Sequence, residues 1–122
     1  MTTDENVPAS PDLKQHSNVL KVKADPPDIT EEERRRKAKA LAGAIAHGLR
    51  QYGEIKVRAI GADAIAKAAK CLAIARGFVA VHGHDLYCAP TFITTMMGDK
   101  EITGISFVVV SSQSDNKQPV QT

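Results

Sequence analysis

The chain has 122 residues, 43% hydrophobic and 25% charged, with a formal net charge of +2. That is room for one globular domain with its own core, and no run approaches the ~18 apolar residues that a membrane-spanning helix needs. Trp is absent and aromatics make up 4%, so the core must be aliphatic.

The opening MTTDENVPAS lacks the cationic start and apolar stretch of a secretory signal, and its Asp4 and Glu5 argue against a transit peptide. The cytoplasm is the expected compartment, or the nucleus if the source is eukaryotic. Residues 1–17 mix Pro, Ser, Thr, Asp and Asn without apolar period and read as a disordered tail. Residues 112–122 read the same way, leaving 18–111 as the domain. The first tail sets Asp4, Glu5 and Asp12 against Lys14, and the second balances Asp115 with Lys117. The positive excess therefore falls on the domain, which is compatible with an anionic partner.

Val19 to Ala24 (VLKVKA) predicts a short strand, ended by DPPD because proline cannot extend a ladder. Thr30 opens a capping box, TEEE, with Glu33 placed to reach back and three acids suited to the helix dipole. Ala38, Leu41, Ala42, Ile45 and Leu49 form a 3.6-residue stripe running to about Tyr52, where Gly53 suits a left-handed stop. Gly43 and Gly48 inside this helix point to close approach of a neighbour. Ile55 to Ile60 predicts a second strand, with Ile55, Val57 and Ala59 on one face and Lys56 and Arg58 on the other. Gly61 turns the chain into a second helix, Ala62 to about Arg76, which Gly77 ends. Leu86 to Phe92 and Ile102 to Val110 predict the last two strands, joined through TTMMGDK with Gly98-Asp99 as the turn. The order β-α-β-α-β-β gives an α+β two-layer sandwich, a four-stranded sheet with both helices on one face.

Cations are the long side chains that stand out on this small-residue scaffold. Lys67 and Lys70 share a face of the second helix, Arg58 precedes it and Arg76 closes it, and Lys21, Lys23 and Lys56 lie on the strands. Several phosphates neutralised by such a set give affinity through counterion release without reading sequence. The competing reading is a solvated, partly ion-paired surface, with Asp63–Lys67 as an ordinary i,i+4 pair. RRRK (Arg34 to Lys37) is the densest cluster. It reads as a charge-laced solvent face paired through Glu31–Arg35, Glu32–Arg36 and Glu33–Lys37, with a phosphate-binding extension as the alternative.

Cys71 and Cys88 fall in apolar segments and read as buried free thiols. His82, His84 and Cys88 have the spacing H-x-H-x3-C but want a fourth zinc ligand, so no metal or other cofactor is expected. No nucleophile–base–orienter set and no GxxxxGK[ST] loop can be assembled, so an enzyme is not expected. Ala62, Ala66, Ala69 and Ala73 form a small-residue seam, read as packing on the sheet, with the remaining helix face left for subunit contact.

The strings LKVKA, ALAGAIAHGLRQYG, AIGADAIAKAAKCLAIARGFVA, HDLYCAP and ISFVVV together resemble the stage V sporulation protein S family, a relative of the Alba chromatin proteins. The resemblance runs from about Val19 to Val110. It implies an Alba-like fold, a homodimer or higher homo-oligomer, and weakly sequence-specific binding of DNA or RNA, with a Lys where Lys67 stands. An oligomeric protein-interaction module without nucleic acid is the alternative, favoured by the uncharged Met96-Met97. Three departures stand out: the front of the first helix is lengthened by TEEERRRK, Val81-His82 replaces a common Pro-Ser, and Met96-Met97 replaces acidic residues at the hairpin tip. Alba proteins carry a long cationic hairpin arm, whereas here Lys100 is the basic residue of that hairpin.

Overall fold

The structure, a computed structural model, describes residues 18–113; both predicted tails lie outside them, apart from the edge at 112–113. The elements run β1 (Val19–Val22), α1 (Glu31–Tyr52), β2 (Glu54–Ile60), α2 (Ala62–Ala80), β3 (His84–Met97) and β4 (Lys100–Gln113). They build one four-stranded sheet, ordered β1-β2-β4-β3, with β1 parallel to β2 and the other pairings antiparallel. The α+β sandwich in the order β-α-β-α-β-β is as expected.

Helix α1 begins and ends where its local chemistry demands. The Thr30 hydroxyl accepts from the Glu33 amide at 3.1 Å, while the Thr30 amide donates to Glu33 Oε1 at 3.3 Å. Two amides with no partner inside the helix are thereby satisfied. At the other end Gly53 takes φ 80° and its amide donates to the Leu49 carbonyl. Leu41, Ala42, Ile45, Ala46 and Leu49 are buried against the sheet. The close approach expected of the helix glycines is found at Gly48, where a Cβ would lie 3.1 Å from Ile55 Cγ2, and not at Gly43.

Helix α2 does not stop at Gly77. It runs one further turn to Ala80, and Gly83 (φ 81°) makes the turn into β3. Its buried stripe is Ala64, Ala68, Cys71, Leu72, Ala75 and Val79. Burying Val79 gains about 1.5–3 kcal/mol, more than the ~1 kcal/mol that a helix-interior glycine costs. The seam Ala62, Ala66, Ala69 and Ala73 lies on the exposed side instead of packing on the sheet.

Strands β3 and β4 are 14 residues each, well beyond the predicted segments, and they meet at a two-residue turn where Gly98 takes φ 67°. Such tight hairpins need positive φ, which glycine adopts without strain. In β3 Leu86 is the buried residue and the strand then leaves the cover of α2; past Ile93, whose β4 partner Gly104 is the last to pair with β2 as well, it projects with β4 as an arm. Pro90 is tolerated because β3 is an edge strand. Phe92 before the arm and Met96 and Met97 at its tip have 78%, 61% and 59% of their surface exposed.

Candidate functional site

The helices cover one face of the sheet and leave the other open. Strand parity sends Leu20, Val22, Ile55, Val57 and Ala59 into the core and Lys21, Lys56 and Arg58 to the open face. Lys21 is the register partner of Arg58, and Lys56 that of Val19, so these cations stand side by side on β1 and β2. Lys23 follows at the end of β1. Among the described residues none of the four has an ion-pair partner. On an open sheet they stay hydrated, and among the described residues no carboxylate pairs with them.

An open-face cleft of about 500 Å³ runs from these cations to the arm. Lys21, Lys23 and Arg58 line one side, and Ile60, Ile93, Thr95 and Met97 the other. Its floor depends on Gly104. Ile60 pairs with Gly104, which pairs with Ile93, and the Ile60 side chain lies across the place a Cβ would fill.

The remaining predicted cations lie elsewhere. Lys67 and Lys70 line a groove of about 580 Å³ between α1 and α2, with Arg34 and Arg35 opposite. That groove also holds Asp25, Glu31 and Asp63, so its charges largely cancel. Lys67 is the most committed of them. Its Nζ donates to Asp25 Oδ1 at 2.6 Å and to the Lys23 carbonyl at 3.1 Å. Asp25 Oδ2 lies 3.8 Å from Arg34 Nη1, and the carboxylate side chain is only 8% exposed. The expected Asp63–Lys67 pair is therefore not formed, because Lys67 reaches across to the β1–α1 loop. Nor are the pairs Glu31–Arg35, Glu32–Arg36 and Glu33–Lys37 formed among the described residues; Glu33 is taken by the capping box. Asp25 gave no sign of this role in the sequence, where it reads as a turn former.

Arg76 sits apart from both groups and grips Asp85 with two bonds, Nε to Oδ1 at 2.7 Å and Nη2 to Oδ2 at 3.3 Å. That hydrogen bonding, helped by the Leu86 amide, holds the Asp85 carboxyl down to about 2 from an ordinary 3.8. The folded chain thus releases this proton more readily than the unfolded one, so stability rises with pH across that range. The pair's contribution is present above about pH 4 and lost as pH falls toward 2. It is a small contribution, as the pair is exposed. In acid unfolding between pH 5 and 2, Asp85→Asn is expected to flatten the profile, and an unchanged slope would refute the assignment.

The two thiols differ. Cys71 is buried, and burial pushes its thiol up to about 11. Cys88 is exposed rather than buried as expected, because β3 has passed out from under α2, and partial desolvation still raises its thiol. Neither is an activated nucleophile. Among the described residues no three of His, Cys, Asp and Glu gather as a metal site would require. Also among them, no helix is long and apolar enough to cross a membrane.

The family model for stage V sporulation protein S matches residues 33–112. The chain belongs to this family. Membership in the stage V sporulation protein S family supports a sporulation-related regulatory protein. The match takes in Lys56, Arg58, Lys67, Lys70 and Arg76 but begins in the first turn of α1. Strand β1, with Lys21 and Lys23, lies ahead of it, although the sequence resemblance runs back to Val19.

Proposed function

We propose that this stage V sporulation protein S family member is a nucleic-acid-binding regulator that holds DNA or RNA by its phosphates, with little sequence preference. The supporting observation is the open sheet face, where Lys21, Lys23, Lys56 and Arg58 stand together without an ion-pair partner among the described residues. Lys70 can add a contact from the helix layer. Lys67 and Arg76 contribute less than their charge implies, since Asp25 and Asp85 already hold them. The role is binding rather than catalysis, needs no cofactor, and is exercised by a homodimer or higher homo-oligomer that multiplies the cationic face about a symmetry axis.

Binding to a duplex is expected to weaken with salt, log affinity falling by about 0.9 per phosphate neutralised for each unit of log salt. Arg58→Ala should lower that slope by about one and weaken all sequences alike. Absence of salt-sensitive retention on either nucleic acid at low ionic strength would sink the proposal. Sedimentation of the purified protein measures the oligomer.

A second function is favoured by a separate observation, the apolar exposure of Phe92 on β3 and of Met96 and Met97 on the arm. Such a surface suits an oligomeric protein-interaction module. A stoichiometric protein partner that survives nuclease treatment and Arg58→Ala would favour it over nucleic acid.

A further inference from the structure

The open-face cleft is not uniformly cationic. Lys21, Lys23 and Arg58 line one side, while the arm side is built from Ile60, Ile93 and Met97 with Thr95 between the last two. Register explains the layout. Ile93, Thr95 and Met97 are alternate residues of β3, and Ile93 faces Gly104 and through it Ile60. Two inter-strand spacings of roughly 4.8 Å separate β2 from β3, so about 10 Å lies between the Ile60 backbone and that of Ile93 across Gly104, with Arg58 two residues along β2 on the same face.

A duplex has no use for half of this cleft. Its phosphates would meet the cations, but its bases are stacked inside, and Ile93 or Met97 would reach one only at the cost of unstacking a step. A single strand offers both chemistries at once, a phosphate and, within one nucleotide's reach, the flat face of an unpaired base. Apolar side chains sandwich such faces, the Met97 thioether is a polarisable contact for an aromatic ring, and the Thr95 hydroxyl can pair with a base edge. Met97 stands 59% exposed at the arm tip, so it meets a ligand without rearranging the core.

On the nucleic-acid function proposed above, we infer that the cleft is a site for single-stranded nucleic acid. An unpaired base lies against Ile60, Ile93 and Met97, and its flanking phosphates lie on Lys21, Lys23 and Arg58. The charge complementarity of one side and the apolar lining of the other together select this occupant over a duplex.

The test compares three fluorescent probes at one fixed salt concentration, using the full chain: a short single-stranded oligonucleotide of mixed sequence, its duplex, and an abasic strand with the same phosphates. The single strand is expected to bind about tenfold tighter than either of the others, the upper scale of a thioether–ring contact. Met97→Ser should lower single-strand affinity about fivefold and leave the duplex and abasic probes unchanged. Its exposed position leaves the unfolding midpoint where it was, and Arg58→Ala should weaken all three probes. Equal binding of the abasic strand, or a duplex bound as tightly as the single strand, would overturn the single-strand site while leaving phosphate binding intact. No binding to any probe would overturn both.

Discussion

Gly104→Ala is expected to destabilise the domain by about 2–3 kcal/mol, a drop of roughly 10–20 °C in Tm for a domain of this size. A Cβ at this position would overlap Ile60 Cδ1 and lie 2.6 Å from the Ala59 carbonyl oxygen. The isoleucine tip can rotate away, but the carbonyl belongs to β2, which is paired on both sides. Relief therefore requires the β2–β4 ladder to shift, and overpacking of this kind is costly because the interior is already close-packed. Alanine would otherwise gain a few tenths to 1 kcal/mol over glycine in a strand, which does not offset the clash. Adding Ile60→Val removes the Cδ1 contact and should restore only part of the loss. A Gly104→Ala variant whose denaturant midpoint matches that of the parent would refute the account. The same shift would move Ile60 and Arg58, so the variant should also weaken single-strand binding.

Lys67→Ala is expected to cost about 2–3 kcal/mol of stability. The family resemblance points to Lys67 as the foremost nucleic-acid contact of the second helix. In the structure its ammonium closes a latch between α2 and the β1–α1 loop, through Asp25 and the Lys23 carbonyl. Removing it leaves the Asp25 carboxylate, 8% exposed, with Arg34 at 3.8 Å as its ion-pair partner among the described residues. An uncompensated buried charge is what makes such a deletion expensive, more than the loss of the pair itself. The double variant Asp25→Asn, Lys67→Ala should therefore be more stable than Lys67→Ala alone, a sign that additive contributions would not produce. Equilibrium unfolding of the four-member cycle measures it. If Lys67→Ala keeps its stability and instead loses nucleic-acid affinity, Lys67 is a ligand and the latch is incidental.

Features written in contiguous residues are legible in the sequence. Thr30, Glu33 and Gly53 mark the bounds of helix α1 because they form their bonds within a turn of where they stand. The hairpin turn at Gly98-Asp99 is legible for the same reason. Gly77 reads as the end of helix α2 because glycine is a local stop signal, whereas the burial of Val79 that carries the helix past it is a tertiary contact. The full length of β3 and β4 is not legible, because a strand that leaves the core loses the alternation by which strands are recognised. The exposure of Cys88 is hidden on the same account.

Among the cations the boundary falls in a similar place. Period-two alternation alone put Lys56 and Arg58 opposite Ile55, Val57 and Ala59, and the structure keeps them there. By itself the sequence determined the order of elements, the caps of the first helix, the family and the cationic side of β2, since each is set by neighbours a few residues apart. Which cations are free was decided only by the tertiary structure. Asp25 lies 42 residues before Lys67 and Asp85 nine after Arg76, and it is packing of helix against loop and strand that brings each carboxylate to its partner. The cleft is likewise a product of the sheet, because a glycine on β4 and an isoleucine on β2 meet the arm only once three strands are in register.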